Sequence, residues 1–288
     1  MDRKMFFKTL QLSVGATLLC NQVGAAETVD SEKSNLLGLL IDTTRCLGCR
    51  ACEFACAEAN GLPEPDDDES VLDNQRKTSE TQLTVINRCE TDAGEVFVKK
   101  QCMHCVQPAC TAACLTKAMY KTSEGPVIWR GEKCMGCRFC MISCPFDIPK
   151  FEYNSAVPKI LKCRMCFDRL QKGEQPACVE NCFGDEALLF GNRSDLLQTA
   201  RSRICSEPEK YISHIYGEHE VGGTECLYLA SVPFEKLGFR NDLGTKPFPE
   251  LTKQFLYTVP VVVTLLPPFL LALSRAYGPE KNHKEGEE

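Results

Sequence analysis

The sequence has little that would equip a catalytic pocket or a nucleic-acid surface. Its 288 residues contain no convincing acid–base pair, nucleophile arrangement or phosphate-binding loop. The net charge of −6 argues against a nucleic acid as partner. With one tryptophan and an ordinary 43% of hydrophobic residues, the chain has no unusual supply of core-forming side chains. Bound groups are therefore expected to supply much of the folding free energy.

Cysteine, in contrast, is abundant. Most of the 20 cysteines fall into four runs of four. The third run, Cys134 to Cys144 followed by Pro145, has the spacing C-x2-C-x2-C-x3-C-P, which is typical of bacterial ferredoxins that hold [4Fe–4S] clusters. The first run, Cys46 to Cys56, repeats this spacing. The second run (Cys102 to Cys114) and the fourth (Cys163 to Cys182) have longer spacers before their third cysteine.

Two other uses of cysteine compete with this interpretation. Dense cysteines in an exported chain often form a disulfide framework, but disulfides do not require repeated triplets of thiols at steps of three. Zinc sites use paired C-x2-C knuckles with four thiols for each ion, and rarely borrow a fourth thiol from elsewhere. The four runs therefore favour iron–sulfur clusters, because each cubane needs four soft thiolates.

The runs are expected to exchange ligands. In two-cluster ferredoxins the fourth cysteine of each run ligates the other cluster. Runs two and three are separated by one predicted hairpin and are paired here, which leaves run one for run four. The predicted ligand sets are set A (Cys46, Cys49, Cys52, Cys182), set B (Cys163, Cys166, Cys178, Cys56), set C (Cys102, Cys105, Cys110, Cys144) and set D (Cys134, Cys137, Cys140, Cys114). The sixteen thiolates would hold four [4Fe–4S] clusters.

This pairing predicts an α+β fold of two ferredoxin-like domains. The second domain, residues 82–153, is inserted in the first, residues 36–81 and 154–195. Apolar and alternating patterns predict strands at Leu36–Asp42, Gln82–Arg88, Glu95–Lys99, Ala118–Lys121, Val127–Arg130 and Ala187–Gly191. Ser194 is expected to cap a helix that runs to about Arg203. Residues 196–250 are expected to form an extension with one strand near Leu227, partly facing a partner.

Both ends of the chain point to a membrane. Residues 1–26 resemble a twin-arginine export signal in which Lys4 follows Arg3. Residues 254–274 are 21 uncharged residues, and as a helix they would extend about 31 Å, the thickness of a bilayer core. We expect a transmembrane helix there, with residues 275–288 as a cytoplasmic tail. A buried core helix is the alternative.

Several residues near the runs have a predicted supporting role. Gly136 is expected to let the backbone approach a cluster closely. Nearby cations would raise the reduction potential of a negatively charged cluster. Such cations flank every run: Arg45, Arg50, Lys99, Lys100, Lys133, Arg138, Lys162 and Arg164. His104 is interpreted as a neighbour of the cluster or a surface residue rather than a ligand. Cys89, Cys205 and Cys226 lie outside the runs and are interpreted as buried small residues or free thiols.

With these motifs the chain resembles the four-cluster iron–sulfur subunits of membrane oxidoreductases, such as the beta subunits of formate dehydrogenase, dimethyl sulfoxide reductase and polysulfide reductase. The segments that carry the resemblance are residues 102–110, 136–140 and 162–180, and it extends over about residues 36–237. Leu115 and Phe183 depart from the pattern, because relatives often have proline there. The added export signal and membrane helix are most similar to the iron–sulfur subunits of Hyb-type, menaquinone-linked uptake hydrogenases.

The resemblance implies an electron-transfer subunit that is not itself an enzyme. It would lie on the periplasmic side of the inner membrane and carry electrons between a nickel–iron hydrogenase, through its small subunit, and a multi-span, quinone-reactive membrane protein. The beta subunit of a molybdenum or tungsten oxidoreductase, of the formate dehydrogenase or polysulfide reductase type, is the alternative. A zinc- or disulfide-stapled interaction protein is the alternative from a different class.

Overall fold

The structure is a computed structural model, and it describes residues 36–92 and 94–277. The strands are β1 (Leu37–Asp42), β2 (Val85–Thr91), β3 (Gly94–Lys100), β4 (Met119–Lys121), β5 (Val127–Trp129), β6 (Lys150–Phe151), β7 (Ile160–Leu161), β8 (Leu188–Asn192) and β9 (Cys226–Leu229). The α-helices are α1 (Ala51–Asn60), α2 (Ala109–Ala112), α3 (Phe139–Ile142), α4 (Phe167–Leu170), α5 (Ala177–Glu180), α6 (Arg193–Ser206) and α7 (Phe248–Tyr277). Short 3₁₀ helices occur at Glu69–Asp73, Gly131–Lys133, Glu220–Gly222 and Phe234–Leu237.

The central sheet has the strand order β8-β1-β9. Strand β1 pairs antiparallel with β8 and parallel with β9. Its two faces pack into different hydrophobic clusters. Leu39 and Ile41 lie among the cysteine-bearing segments, whereas Leu40 packs with Leu196 and Leu197 of α6. A strand that is covered on both faces is expected to be apolar throughout. This explains the continuous apolar run that predicts it.

The other strands form three antiparallel pairs, β2–β3, β4–β5 and β6–β7. In the first pair Val85 lies opposite Lys100, and the register continues to Thr91 opposite Gly94. The hairpins and strands predicted from the sequence are confirmed, with ends shifted by a few residues. The α+β class is confirmed with them.

Strand β9 confirms the strand expected near Leu227, and it lies in the interior. Cys226, Leu227, Tyr228 and Leu229 are at most 1% exposed, because they complete the central sheet beside β1. The expectation that residues 196–250 partly face a partner stays a prediction, and it applies to the parts of this segment outside the strand.

The start of α6 also differs from the prediction. The helix begins at Arg193, with Asn192 at the N-cap position, so Ser194 does not cap it. Strand β8 continues directly into the helix, and the amide of Arg193 donates to the carbonyl of Leu36 at 2.7 Å. Because a sheet neighbour binds this amide, the helix can begin without a side-chain cap.

The predicted C-terminal helix is confirmed as α7. Within Phe248–Ala276 an 18-residue window has a mean hydropathy of 2.0, and none of that window is buried against the rest of the described chain, so the alternative of a buried core helix does not hold. The helix is long and apolar enough to cross a membrane. It continues through Pro260, Pro267 and Pro268. The expected export signal and residues 278–288 of the tail lie outside the described residues.

Candidate metal centres

In all four runs the third cysteine is placed in the same way. Cys52, Cys110, Cys140 and Cys178 are each the second residue of a helix, namely α1, α2, α3 and α5. The first turn of a helix has amide groups without intrahelical partners and carries a partial positive charge. A thiolate at this position is therefore in a favourable electrostatic environment.

Left-handed backbone turns shape the first and third runs. Gly48 and Arg50 have φ values of 70° and 59°, and Gly136 and Arg138 have 72° and 61°. A Cβ on Gly48 would lie 2.6 Å from the ring of Phe97, whereas a Cβ on Gly136 would meet no protein atom within 4 Å. At Gly48 a side chain would therefore collide with Phe97, whereas the expected approach of Gly136 to a cluster stays a prediction. Gly136 is explained by its positive φ.

Three cavities bring cysteines of different runs together. The first is lined by Cys46, Cys49, Cys52 and Cys182, the second by Cys56, Cys163, Cys166 and Cys178, and the third by Cys114, Cys134, Cys137 and Cys140. Apolar residues complete the walls, among them Ile41 and Ile86 in the first cavity, Leu39 and Met165 in the second, and Met119 and Trp129 in the third. Each cavity thus has the four cysteines of set A, set B or set D.

The remaining four cysteines are also neighbours. Burial raises the pKa of the Cys105 thiol well above its ordinary value, and the nearby thiols of Cys102, Cys144 and Cys110 raise it further. Cys102 and Cys144 belong to one apolar cluster with Ile148. The four cysteines of set C are therefore also close together, and none of them is exposed.

Burial and neighbouring thiols raise the pKa of several of these cysteines and so favour the neutral thiol. The pKa of Cys140 is raised to about 11, first by burial and then by Cys114, Cys134 and Cys137. Burial likewise raises the pKa of Cys163 to about 12. A bound metal reverses this preference, because thiolates rather than thiols are the ligands. Four soft donors in an apolar, poorly hydrated pocket fit the requirements of a [4Fe–4S] cluster.

The competing cysteine chemistries fit this geometry less well. In the described ranges every cysteine is free of a disulfide. Nor do the described residues contain a group of three or more His, Cys, Asp or Glu side chains close enough to share one metal ion. Zinc needs four ligands about 2.3 Å from a single centre. Each of the three cavities gathers four thiols from two runs, which suits a group with several metal corners.

Some polar groups near the sulfurs were not anticipated from the sequence. The side-chain amide of Asn60 donates to Cys56 Sγ at 3.6 Å, and the backbone amide of Met119 donates to Cys114 Sγ at 3.3 Å. Hydrogen bonds to ligand sulfurs tune the potential of a cluster. The available signal was the position of Asn60 one helical turn after Cys56, on the same face of α1.

His104 is a buried support rather than a surface residue. It is fully buried, and its Nδ1 accepts a hydrogen bond from the amide of Val127 at 2.9 Å. Burial, together with the positive charges of Lys162 and Lys121, lowers the pKa of His104 well below its ordinary value. A neutral imidazole that accepts through Nδ1 carries its hydrogen on Nε2. The hydrogen bond from Val127 connects the loop between Cys102 and Cys105 to β5.

The cysteines outside the runs have different environments. Cys226 is fully buried, and its thiol donates to the carbonyl of Cys102 at 3.2 Å. Cys89 is buried too, whereas Cys205 is exposed. Their interpretation as small buried residues or free thiols therefore agrees with the structure.

Comparison with known proteins supports the same chemistry. Residues 94–193 match the family model described as a 4Fe-4S dicluster domain. A protein of Nitratidesulfovibrio vulgaris (strain Hildenborough) is 44% identical over 99% of this chain and 78% of its own length. The hydrogenase-2 operon protein HybA of Escherichia coli O157:H7 is 34% identical over 77% of this chain and 78% of its own length. The iron–sulfur subunit of the nitrate-inducible formate dehydrogenase of Escherichia coli K12 is 35% identical over 66% of each chain.

Proposed function

The chain belongs to the family of iron–sulfur electron-transfer subunits that includes HybA and the iron–sulfur subunits of formate dehydrogenases, and we propose that it connects a periplasmic nickel–iron hydrogenase to a quinone-reactive membrane protein. Its cofactors are four [4Fe–4S] clusters. The clusters, when bound, accept and release single electrons, and the chain itself has no catalytic role in this proposal.

In this proposal sets A to D each hold one cluster, and the fourth cysteine of every run serves the cluster of another run. The observation that carries it is the composition of the cavities: Cys182 lies with run one, Cys56 with run four and Cys114 with run three. The two ferredoxin-like domains are then nested, with residues 82–153 inserted between 36–81 and 154–195. The protein positions the thiolates, and its apolar walls exclude water from them.

The first of two exposed apolar surfaces supports a docking site for the catalytic partner. Leu47 and Phe183 are 62% and 74% exposed, and each is next to a cysteine of set A. Cys49 of the same set is exposed as well. Electrons can enter or leave only where a cluster approaches the surface closely, and exposed apolar residues around such a point favour a protein interface. We assign this surface to the hydrogenase.

The second surface surrounds set D. Leu115, Met135, Phe139 and Ile142 are between 52% and 82% exposed, and Cys137 is exposed among them. Met135, Phe139 and Ile142 lie in run three, and Leu115 directly follows run two. Run two is connected by contacts to the segment just before α7. The amide of Val106 donates to the carbonyl of Gly223, and Pro247 packs against Gly222 just before α7 begins. We therefore assign this surface to the membrane partner.

Residues 1–26 and 275–288 define the proposed localisation and membrane orientation of the protein. An export signal would carry the folded, cluster-loaded protein to the periplasm, and α7 would then hold it at the inner membrane with the tail in the cytoplasm. Menaquinone is the proposed acceptor, reached through the membrane partner. The greater share of HybA that the chain covers, 78% against 66% for the formate dehydrogenase subunit, favours the hydrogenase over a molybdenum or tungsten enzyme.

Metal analysis of the native complex tests this function. The tagged protein should be purified anaerobically from membranes together with its partners. We expect about 16 irons and 16 sulfides for each chain, and nickel in the copurified catalytic subunit. Molybdenum or tungsten in place of nickel would contradict the hydrogenase assignment but leave the electron-transfer role. A colourless or zinc-loaded chain would contradict both.

A further inference from the structure

Two lysines are buried among the cysteine sets. Lys99 and Lys162 are each 2% exposed. The ammonium group of Lys99 donates to Thr84 Oγ1 at 2.7 Å and to the side-chain oxygen of Gln101. That of Lys162 donates to the carbonyls of Val127 and Cys163, the latter at 2.8 Å, and to Cys102 Sγ at 3.6 Å. Both are held by neutral acceptors or sulfur.

Among the described residues, neither lysine forms an ion pair with a carboxylate. Two other buried cations do: Arg50 pairs with Glu53 at 3.3 Å, and Arg203 pairs with Asp42 at 2.8 Å. No carboxylate oxygen of the described residues lies within 4.0 Å of the ammonium nitrogen of Lys99 or Lys162. A buried ammonium without a counter-charge is strongly destabilising. The thiolates of the ligand sets that surround the two lysines can supply the compensating negative charge.

The two lysines stand between different sets. Lys99 lines both the cavity of set A and the cavity of set B. Lys162 connects set B, through the carbonyl of Cys163, to set C, through the sulfur of Cys102. Set B is thus in contact with both charges. Set D has Arg138 at its cavity, but this side chain is exposed, and water and salt screen its charge.

We propose that Lys99 and Lys162 are fixed positive charges that raise the reduction potentials of the clusters of sets A to C, Lys99 acting on A and B and Lys162 on B and C. The inference rests on the proposed ligation. Reduction adds a negative charge to a cluster, and a cation nearby stabilises that charge most where water is excluded. The cluster of set B receives both contributions, and the cluster of set D receives neither.

The test is an EPR-monitored redox titration of the complex with Lys99→Met, Lys162→Met and the double variant. Methionine keeps much of the length of lysine without its charge. Lys99→Met should lower two of the four potentials, and Lys162→Met should lower two. One cluster should respond to both substitutions and shift furthest in the double variant, while one should respond to neither. This pattern also assigns the four potentials to their sets.

Matched controls separate charge from position. Lys100 follows Lys99 in β3, but its ammonium group donates to the carbonyls of Leu237 and Gly238 and lies 3.7 Å from the ring centroid of Phe239, away from the sets. Lys159 is exposed and precedes β7. Lys100→Met and Lys159→Met should leave all four potentials unchanged. Lys99→Arg and Lys162→Arg, where they retain the clusters, should restore the potentials because they restore the charge.

The outcomes distinguish this inference from the proposed function. A wild-type chain without its iron contradicts the proposed function. A fully loaded chain whose potentials do not move in the methionine variants contradicts the role of the lysines. If a methionine variant loses iron, Lys99→Gln and Lys162→Gln, which keep a polar end group, take its place in the titration. Equal shifts of all four potentials would also contradict the inference, because a general loosening, not a local charge, would then explain them.

Discussion

Cys178 and Cys182 are four residues apart in the fourth run, yet they line different cavities. Cys178 is grouped with Cys56 and Cys163, whereas Cys182 is grouped with Cys46. Helix α5 ends at Glu180, so Cys182 follows the helix and is directed away from the pocket of Cys178. This relationship is the geometric basis of ligand exchange between runs.

Alanine substitution of these two cysteines should therefore remove different clusters. Cys182→Ala is expected to damage the cluster of set A and Cys178→Ala that of set B, each with a loss of up to about four irons. EPR spectra of the two variants, with the exposed Cys205→Ala as control, identify the missing signal. If each run fills one cluster by itself, both variants will lack the same signal.

The two glycines of the ferredoxin-like turns should differ in their tolerance of alanine. Both have positive φ, so alanine introduces backbone strain of about 1–2 kcal/mol at either site. At Gly48 the new methyl group would also collide with Phe97. Gly48→Ala is therefore expected to lower the iron content of the chain more than Gly136→Ala.

Shortening the opposing side chain provides the control for this difference. The double variant Gly48→Ala/Phe97→Leu should recover part of the iron that Gly48→Ala loses, because the methyl group then has space. Equal losses in the two single variants would contradict the contact with Phe97 as the cause.

The ion pair that joins α6 to the central sheet should be important for stability. Asp42 is fully buried, and its carboxylate accepts hydrogen bonds from Arg203 and from the hydroxyl of Tyr211, both at 2.8 Å. Removing one partner of a buried pair costs about 3–5 kcal/mol. Arg203→Met should thus lower the unfolding temperature measured by circular dichroism at a fixed scan rate.

The matched control for Arg203 lies one half-turn earlier in the same helix. The side chain of Arg201 is 62% exposed and pairs with Glu218 at the surface. Exposed pairs contribute about 0–1 kcal/mol, so Arg201→Met should change the unfolding temperature little. Similar shifts in the two variants would show that helix α6 is sensitive to any loss of charge rather than to the pair with Asp42.

Local sequence signals were sufficient for much of the architecture. The spacing of the cysteines anticipated the members of the three cavity groups, and apolar alternation anticipated β1 to β5 and β8. The alternation is a local signal that arises within a few residues, whereas the grouping of distant cysteines followed from the exchange of ligands between runs in two-cluster ferredoxins. The ligation remains a prediction until clusters are assigned to these groups.

Features that depend on distant contacts were not accessible in this way. The parallel pairing of β9 with β1 joins segments far apart in the chain, and no local pattern specifies it. The N-cap of α6 was predicted at Ser194, but the helix begins at Arg193, whose amide donates a hydrogen bond to the carbonyl of Leu36 and not to a side chain. Eight basic residues near the runs looked equivalent in the sequence, and only their burial and partners single out Lys99 and Lys162.

Prolines lie along one side of α7, the helix that we propose to span the membrane. Pro260, Pro267 and Pro268 have no amide hydrogen, so the carbonyls four residues earlier, at Leu256, Val263 and Thr264, lack their helical partner. At 3.6 residues per turn, Leu256, Pro260, Val263 and Pro267 lie on one face. Carbonyls without partners are costly in lipid unless a neighbouring helix, a side chain or water satisfies them. This face is therefore expected to pack against the membrane partner.

Photo-crosslinking from the two sides of α7 tests that expectation. Val263 lies on the proline face and Leu265 nearly opposite, while their side chains are similarly exposed in the isolated chain, at 64% and 61%. A photo-reactive amino acid at position 263 of the full-length protein in native membranes should form a crosslink to an integral membrane protein. The same group at position 265 should react mainly with lipid, because the helix presents that side to the bilayer. Equal crosslinking to protein from both positions, or no crosslink from position 263, would mean that the proline face is not the contact surface. Water or the helix itself would then have to satisfy the carbonyls that lack a helical partner.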